Sequence, residues 1–374
     1  MTQRIHLVAA ARPNFMKVAP LWHALARAPD FTPVLIHTGQ HYDTLMSDAF
    51  FADLRLPAPD HHLGVGSGTH AEQTAGVMTA YEKVALKDRP DWLVVVGDVN
   101  STAACALVAA KLRIPLVHLE AGLRSGDRDM PEEINRLVTD VIADVLWTPS
   151  ADADENLQAE GIPAERVTRV GNIMLDSFEL VRPQIEAAAR AMDRGLVKGG
   201  YAVVTLHRPS NVDEPVKLRL LVEALIAAHR RIPILFPAHP RTAQKLAAAG
   251  LDTVLRREGV LLVDPLPYVR FMALVLNAGA VITDSGGIQE ETTYLGIPCL
   301  TLRENTERPI TISEGTNRLV TPTTLLFALE EALVCAGGEQ RRPEGWDGKT
   351  AGRCVEDLRR RSVTPAFASY RRAS

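Results

Sequence analysis

Short apolar runs, rich in β-branched residues, alternate along this chain with longer segments in which apolar positions recur every three or four residues. The short runs fall at 5–11, 32–38, 92–97, 115–119, 144–148 and 166–170, then at 201–206, 233–238, 260–264, 280–283 and 298–302. Segments of helical period lie between them, among them 16–28, 101–112, 132–142, 214–230 and 287–294. Apolar runs without internal alternation predict strands buried on both faces, and strands separated by helices predict parallel sheets covered on both sides. The pattern occurs twice, which predicts two doubly wound, Rossmann-like α/β domains. Their expected bounds are 1–172 and 173–350, joined near 171–185, with a closing helix in 351–374 that follows a Gly-rich loop at 336–350.

Open parallel sheets bind ligands beyond the carboxyl ends of their strands, so two such sheets predict a site in the cleft they face. The residues after each apolar run are therefore the ones to read. After 280–283 comes Asp284-Ser285-Gly286-Gly287 at the start of a helix that Gly296 closes. Two glycines at a helix N-terminus offer free backbone N–H groups and the positive end of the dipole, which suits a phosphate. Glu290 and Glu291 lie one turn further in, placed for a ribose hydroxyl. The plainer alternative is a strand-to-helix turn with Ser285 as N-cap. After the first run, Arg12 and Lys17 bracket a helix start without any G-x-G-x-x-G fingerprint, leaving two cations for an anion or an ordinary solvated pair.

The run at 92–97 leads to Asp98, and the run at 115–119 leads to Glu120. Asp98 reads either as an N-cap or as an acid/base group. Glu132 and Glu133 open a Pro-started helix that continues to Arg136, where they also suit the helix dipole. Carboxylates gathered at three neighbouring junctions raise one another's pKa values, which is what proton transfer near neutral pH requires. In the second half, His207-Arg208 and His239-Pro240-Arg241 follow successive runs and read as imidazole–guanidinium pairs for an anion. His61-His62 fall in a polar loop and His37-x3-His41 straddles a strand end, so no metal set is expected.

Composition narrows the class. With 46% hydrophobic and 23% charged residues in 374, the chain reads as a globular protein of two domains. A formal net charge of −4 with no basic block argues against a nucleic-acid partner. No apolar segment approaches the ~18 residues of a membrane span. The apolar run near the N-terminus is too short for a signal peptide, and the four scattered cysteines contain no C-x-x-C pair. A cytoplasmic protein with reduced thiols is expected.

Seven motifs in order, GDVNST, HLEAGLRSGD, PEEINR, TLHRPSNVD, TDSGGIQEE, RENTERPI and EGTNRLV, resemble those of the non-hydrolysing UDP-N-acetylglucosamine 2-epimerases. The likeness runs from Arg12 to about Arg318, and the final helix fits it too. It implies the two-domain glycosyltransferase-B architecture, a UDP-sugar substrate, no cofactor and a homodimer. By that resemblance Asp98, Glu120 and Glu132 are acid/base carboxylates, and His207 stands near the leaving β-phosphate with Arg12 and Lys17. Ser285, Gly286 and Gly287 hold phosphates, Glu291 the ribose, and Arg136, His239, Phe271 and Arg308 line the UDP-sugar site. The C2 hydrogen of such a sugar is not acidic, so inversion needs oxidation by a nicotinamide or loss of the anomeric leaving group. The missing fingerprint favours elimination to a 2-acetamidoglucal and re-addition of UDP.

Three segments depart from the family. RPNFMK stands where many members have RPEAIK, Asp43 follows Gln40-His41-Tyr42 where a glutamine is usual, and LGVGSGTHAEQT (63–74) lacks an expected arginine. The last two flank the region that binds an activating UDP-sugar in several bacterial members, so weak or absent substrate activation is expected. The same motifs fit a 2-epimerase of a related sugar such as UDP-2,3-diacetamido-glucuronic acid, for whose carboxylate Arg12, Arg208 or Arg241 offers a partner. A hydrolysing epimerase, a glycosyltransferase and a catalytically silent UDP-sugar sensor are the further alternatives.

Overall fold

The computed structural model describes residues 2–39, 54–191, 196–334 and 342–364, apart from the side chain of Arg12. Residues 40–43, which carry one departure from the family, lie outside the described residues. The chain divides into two compact units, Met1–Leu180 with Glu344–Ser374, and Val181–Pro343.

The first unit contains β1 (Gln3–Ala9), β2 (Phe31–His37), β3 (His61–His62), β4 (Trp92–Val96), β5 (Leu116–Leu119), β6 (Val145–Thr148) and β7 (Val167–Arg169). They form a parallel sheet in the order β3-β2-β1-β4-β5-β6-β7. The second unit contains β8 (Ala202–Thr205), β9 (Ile234–Pro237), β10 (Leu261–Val263), β11 (Ala280–Thr283), β12 (Cys299–Thr301) and β13 (Asn317–Leu319), in the order β10-β9-β8-β11-β12-β13. Trp92–Val96 and Ala280–Thr283 are buried at every position, as strands sandwiched between helix layers must be.

Each sheet is wound outward in both directions from its middle, so each has one switch point, between β1 and β4 and between β8 and β11. Register then fixes which strand ends emerge together at or next to these points. Val96 on β4 is level with Leu119 on β5, so Gly97-Asp98 and Glu120 leave the sheet side by side. Thr205 on β8 is level with Thr283 on β11, which does the same for Leu206-His207 and Asp284-Ser285.

Three expectations need correction. His61-His62 are not a loop but a short edge strand paired with Ile36-His37. The strand Asn317–Leu319 extends the second sheet although its polar sequence carries no apolar run. The first helix starts at Arg12 rather than 16, because Pro13 sits in the first turn, where its missing N–H leaves no bond unmade.

The final helix, Thr350–Ser362, belongs to the first unit and packs on the helix Arg12–Ala26. Its first backbone N–H groups are capped by Asp176, at 3.0 Å from Thr350 and 2.8 Å from Ala351. Its Asp357 takes hydrogen bonds from the Trp147 indole (2.8 Å), Thr168 (3.2 Å) and Arg361 (2.8 Å). The chain reaches this helix past Gly345, whose carbonyl lies so close to Gly171 that a Cβ there would sit 2.2 Å from it. Among the described residues, no helix is long and apolar enough to cross a membrane.

Candidate active site

At the first sheet's switch point three side chains converge on Gly97, a glycine at φ +68 that lets the chain turn sharply out of β4. Lys17, Asn14 and Glu120 all lie within 4 Å of where a Cβ on Gly97 would stand, and Asp98 follows it. Asn14 ties the end of β1 to β4 by accepting from the Ala11 N–H (3.1 Å) and donating to the Val96 carbonyl (3.1 Å). Sequence reasoning gave Asn14 no role. Its one signal was that it departs from the glutamate of RPEAIK.

The carboxylates here face cations, not one another. Glu120, 5% exposed, is paired with Lys17, and Asp98, 35% exposed, with Arg136. The expected mutual repulsion is therefore replaced by pairing, because the helices that cover the sheet carry a cation to each carboxylate. Lys17 is thus tied to Glu120, and Arg136 is held between Asp98 and Glu133 (2.7 Å to Glu133). The N-cap beside Asp98 is Val99, so Asp98 does not cap its helix.

The two glutamates of the helix Pro131–Ile142 also separate. Glu133 is buried, and accepts from the Ser125 and Gly126 backbone N–H groups (3.1 and 3.0 Å) and from Arg136. Burial pushes its carboxyl up, but those donors outweigh burial and hold it below the ordinary value. Glu132 is half-buried, leaving it the glutamate of the pair that is open to solvent. Asn135, one turn on, donates to the Asp98 carbonyl (2.9 Å).

At the second sheet's switch point the organising residue is Asp284, fully buried. It accepts from the backbone N–H of His207 (3.1 Å) and Arg208 (3.0 Å), from Asn211 (3.0 Å), and from His207 Nδ1 (3.0 Å). Burial raises its carboxyl, and His207 and Asn211 more than reverse the effect. With Nδ1–H directed at Asp284, the ring of His207 keeps Nε2 for other work, and its side chain is 40% exposed. Asp284 was legible as a strand-end residue, but not as the partner of a histidine 77 positions earlier.

Ser285 is the N-cap of the helix Gly286–Leu295, and its side chain makes no capping hydrogen bond. A Cβ on Gly286 would come within 2.7 Å of Arg308, while nothing lies within 4 Å of one on Gly287. The first helical turn thus presents bare backbone on one side and a guanidinium on the other, the two ingredients of an anion site. Arg308 is anchored there by Glu290 (2.7 Å). Glu291 is buried and accepts from the Tyr268 hydroxyl (2.5 Å); burial pushes its carboxyl up to about 7. Phe271, half-buried, lies one turn beyond Tyr268 on the helix Tyr268–Leu276.

The two imidazole–guanidinium pairs do not hold. Arg208 turns to Glu307 (3.4 Å), and Arg241 grips Asp213 through Nε (3.1 Å) and Nη2. His239 is an exposed N-cap whose Nδ1 accepts from the Arg241 N–H (3.3 Å). Its imidazole is lowered by burial and by His207, whose ring is 5.8 Å away.

Residues 23–359 match the family model described as UDP-N-acetylglucosamine 2-epimerase. The UDP-N-acetylglucosamine 2-epimerase of Methanocaldococcus jannaschii is 42% identical over 362 residues, 95% of this chain and 98% of that protein. Its crystal structure in complex with UDP-GlcNAc and UDP superposes with a TM-score of 0.82, at 39% identity, covering 95% and 99% of the two chains. The UDP-2,3-diacetamido-2,3-dideoxy-D-glucuronate 2-epimerase of Pseudomonas aeruginosa is 38% identical over 322 residues, 85% of this chain and 88% of that protein.

Proposed function

The chain belongs to the UDP-N-acetylglucosamine 2-epimerase family, and we propose that it interconverts UDP-N-acetylglucosamine and UDP-N-acetylmannosamine by eliminating and re-adding UDP. One observation carries this reading. Next to the switch point of one sheet, register levels the strand ends that lead to Asp98 and Glu120, and at that of the other it sets a histidine beside a phosphate-ready helix N-terminus. Proton transfer falls to the first unit and the nucleotide to the second.

In the forward half-reaction the C2–H bond breaks and its proton passes to a carboxylate. The C1–O bond breaks with its electron pair leaving on the β-phosphate oxygen of UDP, and a C1=C2 double bond forms. Return of UDP to C1 and of a proton to the opposite face of C2 gives the epimer. Asp98, Glu120 and Glu132 supply the acid and base. Lys17 and Arg136 hold two of these carboxylates in place, and general acid–base help of this kind is worth roughly 10²–10⁴-fold. His207 Nε2, the Gly286 and Gly287 N–H groups and Arg308 meet the diphosphate, each key donor contributing ~3–4 kcal/mol to a departing oxyanion. Glu291 takes a ribose hydroxyl beside Tyr268, and Phe271 and His239 complete the substrate contacts.

N-acetylglucosamine is favoured over a diacetamido uronic acid because Arg208 and Arg241, two of the cations that would meet a uronate, are already engaged by Glu307 and Asp213. The relative in Pseudomonas aeruginosa keeps the second sugar as the alternative to exclude. We place the enzyme in the cytoplasm as a homodimer. Three buried thiols fit a reducing compartment, and Ile134, Val138 and Val141 leave an apolar stripe exposed along one helix face. Light scattering of the native protein against Val138→Glu checks the second point: a native monomer removes it.

NMR of the purified protein with UDP-N-acetylglucosamine in D2O tests the reaction. Deuterium at C2 with UDP-N-acetylmannosamine accumulating is expected. Free N-acetylmannosamine with UDP would make the enzyme a hydrolysing one, and exchange only with the diacetamido uronic acid would change the substrate.

A further inference from the structure

Behind the carboxylates lies a buried histidine–aspartate pair that the reaction above does not use. His118, on β5 two residues before Glu120, and Asp140, on the helix that carries Glu132, are both fully buried. His118 Nδ1 donates to Asp140 Oδ1 (2.6 Å), and His118 Nε2 donates to the carbonyl of Gly97 (2.9 Å). The other oxygen of Asp140 accepts from the Gly122 N–H (3.1 Å) and from Arg124 Nη1 (2.8 Å). Burial raises the Asp140 carboxyl, yet His118 and Arg124 outweigh burial and hold it below the ordinary value.

The ring of His118 is engaged through both nitrogens, so the pair is fixed at both ends. One end is the turn that delivers Asp98. The other reaches Gly122, two residues beyond Glu120. Glu120 itself lies at φ +70, where a side chain is strained, and Gly122 at φ +79. A turn with two left-handed residues in three relaxes unless something holds it, and the Gly122 N–H on Asp140 is such a hold. A single His–Asp pair thereby connects the three elements that carry Asp98, Glu120 and Glu132.

We infer that His118 and Asp140 are positioning residues that set the relative placement of the acid/base carboxylates, a role that rests on the epimerase reading above. Neither touches the sugar, so their loss is expected in turnover and not in nucleotide affinity. A generic packing role would instead lower stability and leave the folded enzyme's turnover alone.

The experiment compares wild type with His118→Phe, His118→Gln and Asp140→Asn, reading epimerisation rates, C2 deuterium uptake and UDP binding by calorimetry. His118→Phe should lower kcat and deuterium uptake together by about 10²-fold while KM and UDP affinity change less than about 3-fold, since misplacement of about 1 Å costs this much. His118→Gln, which keeps one donor, should recover about tenfold of that loss. Native kcat in folded His118→Phe, or a raised KM at native kcat, overturns the proposal. If that variant does not fold, Asp140→Asn decides by the same criterion, with a loss of about tenfold expected and a native kcat overturning it. A wild type that binds UDP but turns over neither sugar nucleotide removes the functional reading, and this proposal with it.

Discussion

Glu120 holds a backbone conformation that costs a residue with a Cβ about 1–2 kcal/mol, and it does so where its carboxylate meets Lys17. Strain kept at one acidic side chain just past the carboxyl end of a strand is what a fixed acid/base group needs. Glu120→Gln and Asp98→Asn should each lower kcat by roughly 10²–10⁴-fold. Circular dichroism and melting temperature should stay near those of the native protein, and native kinetics in either variant would refute the assignment. Glu291 supports a prediction about pH. Its folded value, about 7, lies above the ordinary 4.5, so the folded state favours the protonated acid. The stability it contributes is complete below pH 4.5 and is lost as pH rises through about 7, a change of roughly 3 kcal/mol. Urea unfolding without ligand at pH 5.5 and 8 should therefore show a steeper fall for the native protein than for Glu291→Gln. Parallel pH profiles of the two would mean that Glu291 is already ionised in the fold. Of this scale, the sequence revealed which side chains stand at strand ends. It did not reveal what faces them: Arg136 for Asp98, or Asp284 for His207, since those pairings are set by register between distant segments.

Elements were the most legible level, because a strand buried on both faces and a two-sided helix leave different periods in the chain. The exceptions share a cause. His61–His62 and Asn317–Leu319 are short strands at sheet edges, where one side lacks a neighbour and apolar sequence is not required. Helix starts carry two predictions. Gly286→Ala would bring a methyl group to within 2.7 Å of Arg308, so the guanidinium must shift from its place beside the helix N-terminus. UDP affinity should fall by about tenfold or more, the worth of one charge-assisted contact, with melting temperature little changed. Calorimetry showing native affinity would free Arg308 from any phosphate role. At the other end of the chain, Asp176 caps the helix Thr350–Ser362. Asp176→Ala should lower stability by about 1–2 kcal/mol without altering kcat, as measured by urea unfolding and initial rates.

At the scale of the molecule, the two sheets share one winding order although their sequences carry different chemistry, carboxylates in one and donors for an anion in the other. The twofold pattern of runs made that doubling readable, whereas the length of chain that each unit owns depends on contacts no local pattern records. The first unit is discontinuous, beginning with the chain and ending with residues Glu344–Ser374, while the second is the unbroken stretch Val181–Pro343. Asp357 joins the Trp147 indole across 210 positions of sequence, and Ser362 reaches Gln3 across 359. During synthesis the second unit can therefore complete its sheet as soon as it has left the ribosome. The first must wait, with its last helix unmade and the surface beneath it bare, until the final residues emerge. Released nascent chains halted at residue 343 should for that reason be rescued by chaperones or cleaved within the first unit, and limited proteolysis of such chains should leave the later-made unit as the resistant fragment.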